Sequence, residues 1–290
     1  MEMKGKRCLI TGATAGIGEV AAIEIARQGA DVVIVGRNEN RCKNTLAKMK
    51  ATGGGGDLSY MVADLSSRAS VLDLAARFKS KFNRLDVLIN NAGAVFFKDE
   101  RSVDGLEMTW ALNHFGYFWL TEELLDVIKD SAPSRIINVS SDAHKRAKLN
   151  RVNCIDEKNK VPYFTYGNSK LANILFTVEL SKRLAGTGVT ANSMHPGVVA
   201  TNFGANNGIP GRIFNLLTAW VAITSEEGAR TIIYLATSPE VDGVSGNYFV
   251  KDKVVASSKE SQDEALARKL WQQSEQRTRE IDAHTSPITV

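Results

Sequence analysis

Cysteine is scarce and scattered in this 290-residue sequence. Its three copies, Cys8, Cys42 and Cys154, are odd in number, far apart and never arranged as C-x-x-C. That argues against a disulfide framework or a thiolate zinc site and for a reducing compartment. The four histidines (His114, His144, His195, His284) have no ligand spacing such as H-x-x-x-H, so no metal is expected. No apolar run reaches the roughly 18 residues a membrane span requires. The nearest, IFNLLTAWVAIT at 213–224, is too short and is interrupted by Asn215 and Thr218. MEMKGKRCLITGA enters a short apolar run with no signal-peptide pattern before it, so a cytoplasmic location is expected. Net charge is only +4, and lysine and arginine are interleaved with acids (EIARQGAD, KDERSVDGLE), so no basic face is offered to nucleic acid. No Pro/Gly/Ser-rich linker divides the chain and no internal repeat is found.

What is present is an ordinary globular composition, 43% apolar and 23% charged, enough for a real core. Short β-branched runs alternate with longer stretches of helical spacing. RCLIT (7–11), DVVIVG (31–36), LSYMVA (58–63), LDVLIN (85–90), SRIINVS (134–140) and GVTANSM (188–194) read as strands, with GNYFV (246–250) as a seventh. Between them lie segments such as GEVAAIEIARQ, ASVLDLAARFKSKF and LEMTWALNHFGYFWLTEELLDVIK. Strands apolar throughout suit a parallel sheet buried on both faces. The alternation predicts a single-domain, doubly wound α/β fold over 1–290, with about seven strands and helices on both faces. GGGG (53–56) reads as a mobile turn before the third strand, and about 258–290 as a C-terminal helix and tail.

Directly after the first strand comes TGATAGIG, with Gly12, Gly16 and Gly18 spaced G-x-x-x-G-x-G. A strand-to-helix turn over a pyrophosphate needs glycine where the backbone bends, where it nears phosphate and where helix meets strand. The helix N-terminus then offers free N–H groups and partial positive charge. A plain glycine-rich turn has the same letters, but here a strand precedes, a helix follows and a second strand ends about twenty residues on. That strand closes with Gly36-Arg37-Asn38 rather than a carboxylate. Glycine leaves room and arginine suits a 2′-phosphate, which predicts NADP (NADPH) over NAD.

YGNSKLANILF (166–176) sets a tyrosine one helical turn before a lysine, and of six tyrosines only Tyr166 has this spacing. A phenol with a pKa near ~10 exchanges protons poorly at neutral pH. An ammonium within reach stabilises the phenolate, and each such charge lowers the pKa by roughly 1–3 units. Alone, the pair is equally a helix-surface contact worth a few tenths of a kcal/mol.

Taken together, the chain resembles the short-chain dehydrogenase/reductase family. The matching pieces are TGATAGIG, Asp64 in VADLSS, NNAG (90–93), Asn113 in LNHFG, INVSS (137–141), YGNSK (166–170) and HPG followed by Thr201. They come in family order and cover nearly the whole chain. The resemblance implies a Rossmann-type dinucleotide-binding catalytic domain. Tyr166 would exchange a proton with the substrate oxygen, and Lys170 would tune it and hold the nicotinamide ribose. Ser141, rather than Ser140, would hydrogen-bond the substrate oxygen, and Asn113 would support a water that orients Lys170. For the coenzyme it implies Gly12, Thr14, Ala15, Gly16, Ile17 and Gly18 at the phosphates, with Arg37 and Asn38 at the ribose. Asp64 and Leu65 would lie at adenine. Asn91, Ala92 and Gly93 would line the central cleft. Pro196, Gly197, Val199 and Thr201 would lie at the nicotinamide.

Within the family the chain is similar to the retinol-dehydrogenase-like branch, on SSDAH, the 25-residue serine-to-tyrosine gap and NSKLANILFTVELSKRLAGTGVTANSMHPGVV. The branch's N-terminal hydrophobic anchor is not seen, and no retinoid specificity carries over. The reaction expected is NADP(H)-dependent interconversion of a carbonyl and an alcohol on a lipophilic small molecule. A C=C reductase resembling light-dependent protochlorophyllide reductase, and a non-catalytic cofactor-binding regulator or scaffold, are the alternatives. A lid is expected over about 198–225. Its apolar positions Phe214, Leu216, Leu217, Trp220 and Val221 suit a lipophilic substrate, a core or oligomer helix, or a weak peripheral membrane contact. The apolar arc after Lys170 (Leu171, Ile174, Leu175, Phe176, Val178, Leu180) is expected to pair with a second subunit, making a homodimer.

Overall fold

Seven apolar runs line up side by side. They are β1 (Arg7–Thr11), β2 (Asp31–Gly36), β3 (Leu58–Val62), β4 (Val87–Asn90), β5 (Ser134–Val139), β6 (Val189–His195) and β7 (Tyr248–Val250). All pair in parallel, in the order β3-β2-β1-β4-β5-β6-β7. The structure, a computed structural model, describes residues 3–155, 161–197 and 223–285. The helices are α1 (Gly16–Arg27), α2 (Glu39–Lys50), α3 (Arg68–Lys81), α4 (Met108–Trp110), α5 (Gly116–Asp130), α6 (Pro162–Arg183), α7 (Ser225–Thr237) and α8 (Glu264–Thr285).

Side chains alternate across each strand, so consecutive apolar residues enter two different cores. Cys8, Ile10, Val32 and Ile34 pack with Ile25 of α1, Met49 of α2 and Ile232 of α7. Leu9, Val33 and Leu88 pack with Leu74 of α3, Leu124 of α5 and Leu175 of α6. Burial on both faces is why the middle of each of these strands is apolar. The strand order reverses between β1 and β4, and in such sheets ligands lie at the carboxyl ends beside that switch.

Three expectations change on contact with the structure. An eighth strand, β8 (Lys253–Val254), closes antiparallel on β7. Its turn residues Lys251 and Asp252 have φ of 50° and 64°, the two-residue hairpin geometry normally signalled by Asn-Gly. Without glycine there, and at two residues, the strand leaves no sequence pattern. The GGGG turn lies where expected, but it is a close-packed corner. A Cβ on Gly54 would fall 1.9 Å from the Ala26 carbonyl oxygen, and one on Gly56 2.0 Å from that of Ala30.

The third concerns the apolar arc on α6, expected to meet a second subunit. It is covered within the chain: Leu171, Ile174, Leu175, Phe176 and Leu180 are all buried, and α8 lies over it. Trp271 of α8 stacks on Phe176 with centroids 5.5 Å apart and 20° between planes, and the Arg183 guanidinium stands 4.1 Å from the same indole. The reason given for a homodimer through this face therefore falls.

Candidate active site

The glycine turn works by close approach. Gly12 has φ +65°, and a Cβ there would lie 2.7 Å from Ala92 Cα, so the end of β1 presses against the end of β4. A Cβ on Gly18 would lie 2.3 Å from Asn91 Nδ2 and 2.6 Å from the Gly12 carbonyl oxygen. Ala15, the residue capping α1, supplies no side-chain hydrogen bond, so no side-chain cap fills the helix N-terminus. Asn91 is fixed in turn: its amide donates to Thr11 Oγ1 at 2.8 Å and its Nδ2 to the Thr11 carbonyl at 2.9 Å. Thr11 Oγ1 also accepts the Ala92 amide at 3.1 Å.

Farther along the carboxyl edge, a Cβ on Gly36 would meet the Thr14 methyl at 2.5 Å. Arg37 is exposed at the end of β2. Asn38 is occupied as the cap of α2, its Oδ1 accepting the Arg41 amide at 3.0 Å. Asp64 Oδ1 accepts the Ser66 amide at 3.0 Å and the Ser66 hydroxyl at 2.7 Å, beside buried Leu65.

On the other side of the switch, β5 delivers Ser140 and Ser141, which face different tasks. Ser140 is buried and donates to the Lys170 carbonyl at 2.7 Å, a brace between strand and helix. The Ser141 hydroxyl lies close enough to the Tyr166 phenol to lower its pKa. Both Tyr166 and Lys170 lie on one face of α6, and Lys170 Nζ stands 5.7 Å from the centre of the Tyr166 ring. A Cβ on Gly93 would be 3.2 Å from both Lys170 Nζ and Asn113 Oδ1, so the four candidate catalytic residues converge beside the NNAG stretch.

Asn113 sits in a single π-helical turn, Ala111–Phe115, between α4 and α5. The 3.6 periodicity read this stretch as one continuous helix, whereas such widened turns concentrate at functional sites. Here the turn aims Asn113 inward. Its Oδ1 accepts the Ala94 amide and its Nδ2 donates to the Ala94 carbonyl, both at 2.9 Å, and Nδ2 also donates to Ser169 Oγ at 3.1 Å. Ser169 Oγ donates to the Tyr166 carbonyl at 2.8 Å.

Burial dominates the electrostatics. It pushes the Tyr166 phenol up, opposed by the neighbouring Ser141 hydroxyl, and pulls the Lys170 amine down to about 7. The lysine was expected to make the phenol acidic. In this structure loss of hydration is the larger influence: it keeps the phenol neutral and brings the amine to where charged and neutral forms coexist near pH 7.

Comparison with known proteins places this geometry. Residues 6–208 match the family model described as short chain dehydrogenase. The chain belongs to the short-chain dehydrogenase family. Mouse retinol dehydrogenase 14 is 43% identical over 286 residues, spanning 94% of this chain and 86% of that protein. Human retinol dehydrogenase 13 is 40% identical, spanning 93% and 83%, and human polyprenol dehydrogenase 36%, spanning 94% and 85%. These relatives place it in the retinol-dehydrogenase-like branch. Among solved structures, an uncharacterized protein from Mycobacterium paratuberculosis superposes with TM-score 0.76 at 29% identity, covering 96% of this chain and 95% of that one. The Pseudomonas aeruginosa RhlG/NADP complex gives 0.67 at 28%, covering 86% and 95%.

As a short-chain dehydrogenase the chain is an oxidoreductase with a nicotinamide dinucleotide cofactor, and its residues fit that group. The phosphate turn has no Cβ where the backbone closes on it, and the α1 N-terminus has no side-chain cap. Pro196 and Gly197 follow β6 at the same edge, but Val199, Thr201 and the expected lid up to residue 222 lie outside the described residues. Sequence reasoning missed three contributors. Thr11 ties the phosphate turn to β4, and Ser169 links Asn113 to Tyr166; both stand inside motifs already quoted, TGATAGIG and YGNSK. Tyr117, whose ring lies 5.5 Å from Lys170 Nζ, had no local signal, because only the tertiary fold brings it there.

Proposed function

We propose that this chain is an NADP(H)-dependent oxidoreductase that interconverts a carbonyl and an alcohol on a lipophilic small molecule. The observation that carries the reading is the convergence of Ser141, Tyr166, Lys170 and Asn113 at the switch of the sheet, with the Ser141 hydroxyl close to the phenol and Lys170 Nζ 5.7 Å from its ring. When bound, the nicotinamide supplies or accepts the hydride. Ser141 holds the substrate oxygen. Tyr166 gives its proton to that oxygen in reduction and takes it back in oxidation. Lys170 holds the ribose hydroxyls and offsets negative charge on the phenol oxygen, while Asn113 braces the 93–94 backbone against α6.

The phosphate turn and α1 N-terminus hold the pyrophosphate. A Gly36-Arg37 end to β2, with Arg37 exposed and without hydrogen bond or ion pair among the described residues, supports a 2′-phosphate. Relatives named for retinol and polyprenol support a lipophilic substrate. So do Tyr163 and Phe164, each 46% exposed, three and two residues before Tyr166. Among the described residues no helix is long and apolar enough to cross a membrane. Three buried, unpaired cysteines support a reducing, cytoplasmic setting.

The test is NADPH and NADH oxidation against a panel of aldehydes, ketones, quinones and retinoids, with the reverse reaction on the alcohols. Turnover with NADPH on lipophilic carbonyls is expected. Coenzyme binding without turnover anywhere on the panel would favour a cofactor-binding scaffold, and reduction confined to a C=C bond would favour the other enzyme class.

A further inference from the structure

The peptide unit joining Ser141 to Asp142 is gripped at both ends by imidazoles. Its carbonyl oxygen faces His144 Nδ1 at 2.7 Å, and its N–H donates to His195 Nδ1 at 3.2 Å. The two histidines come from different parts of the fold: His144 from the turn Asp142–Arg146 after Ser141, His195 from the end of β6. Both are buried.

Hydrogen-bond chemistry fixes their protonation. A carbonyl oxygen only accepts, so His144 Nδ1 carries a proton; the Ser258 amide donates to Nε2 at 3.2 Å, so that nitrogen is bare. His195 Nδ1 must likewise be bare, leaving its proton on Nε2, 3.9 Å from Asp142 Oδ2. Each ring is therefore a neutral, single tautomer. Burial favours the same forms, holding both imidazoles below their ordinary range.

Behind the clamp the surroundings are braced. Asp142 Oδ1 accepts the Tyr248 hydroxyl at 3.0 Å, and the His144 ring stands edge-on to Tyr248 with centroids 5.0 Å apart. Ser261, fully buried, donates its hydroxyl to the Ser258 carbonyl at 2.7 Å and so fixes the segment that His144 reaches. The plane of the 141–142 peptide sets the direction in which the Ser141 side chain leaves the backbone.

We propose that His144 and His195 are positioning residues that lock this peptide plane and so aim the Ser141 hydroxyl at Tyr166 and the substrate oxygen. The inference rests on the reading of Ser141 given above, and Ser141→Ala separates the two. Turnover and NADPH affinity are measured for Ser141→Ala and for alanine, asparagine and leucine at positions 144 and 195. A serine displaced by a fraction of an ångström lowers kcat by about tenfold to a hundredfold while leaving NADPH affinity within about twofold. Asparagine supplies an amide donor at position 144 or an amide oxygen at 195, so it restores most of kcat, whereas leucine, which fills space only, does not. If an alanine variant fails to melt cooperatively, the asparagine and leucine variants at that position make the comparison.

If Ser141→Ala is impaired but the histidine variants match the parent, the clamp is wrong and the serine reading stands. Asparagine variants no better than leucine would also overturn the clamp, since packing alone would then hold the turn. Parental turnover by Ser141→Ala would remove the serine reading and the clamp with it.

Discussion

Lys170 Nζ donates to the Val139 carbonyl oxygen at 3.0 Å, fastening the amine to the strand end two residues before Ser141. The same oxygen faces Asn173 Nδ2 at 3.4 Å and the Tyr117 hydroxyl at 3.5 Å. One strand end therefore organises the lysine, a second buried phenol and the serine.

Lys170 is held there at a cost in stability. With burial bringing its pKa to about 7 against ~10.4 in the unfolded chain, the unfolded state binds more protons between those values. The destabilisation is full below pH 7, shrinks from pH 7 toward ~10.4 and vanishes above it. Lys170→Met should therefore melt higher than the parent at pH 7, by on the order of 4 kcal/mol in the absence of coenzyme. The gain should fade as pH rises toward 10, while turnover is lost. Denaturant melts at pH 7 and 10 check this. A variant less stable than the parent at pH 7 would count against the buried-cation account.

Tyr166→Phe keeps the ring that fills the space above Ser141 and removes only the hydroxyl. A positioned proton donor contributes about 10²–10⁴-fold to rate, so kcat should fall by that factor while NADPH affinity stays within about twofold. Steady-state rates at saturating coenzyme decide it. A folded, coenzyme-saturated variant as fast as the parent would falsify the proton-transfer role.

Arg37→Asp places a carboxylate where the Gly36-Arg37 turn favours phosphate. The ratio of kcat/KM for NADPH to that for NADH should fall at least about tenfold, the loss of roughly 1.4 kcal/mol of discrimination. An unchanged ratio means the arginine is only a surface charge.

The sheet was legible because the inner positions of a doubly buried strand are mostly apolar, as in Cys8–Ile10 of β1, Val32–Val35 of β2 and Val87–Ile89 of β4. The Tyr166–Lys170 pair was legible because helical spacing alone puts both on one face. What stayed hidden was set by tertiary packing. The π turn around Asn113 keeps an apolar pattern indistinguishable from a regular helix. Tyr117 reads as one more core aromatic until the fold places its ring by Lys170. The α6 arc gave no hint that α8, more than eighty residues later, is what covers it.

Trp271 is the centre of that cover: it stacks on Phe176, stands edge-on to Phe118 at 5.2 Å and lies under Arg183. Trp271→Ala should cost about 3–5 kcal/mol, the usual range for a buried tryptophan. It should also leave apolar surface on α6 exposed and promote self-association. Denaturant melts and sedimentation velocity check both. A parent that runs as a monomer at micromolar concentration agrees with an α6 face closed by its own helix, and a dimer broken by substitutions on α6 would contradict it.

His114 makes the same contact region sensitive to acid. Its ring is buried among Trp110, Phe115, Phe118 and Phe176. Nε2 meets Ser274 Oγ of α8 at 2.8 Å, while Nδ1 faces Asn173 without a hydrogen bond. Burial lowers its pKa from 6.5 to about 4, so the native state resists a proton that the unfolded chain accepts. The sign follows: this contribution to stability is fully present above pH 6.5 and is lost progressively as pH falls toward 4. The loss is on the order of 3 kcal/mol from this residue. His144 and His195 shift in the same direction, so the parent's acid loss exceeds the share of His114. In His114→Gln, which lacks the titrating ring, the fall in stability between pH 6.5 and 4 should be smaller by that share, whatever its stability at pH 7. Urea melts of both proteins across this range read the difference directly, and parallel curves would show that His114 is not the group being protonated.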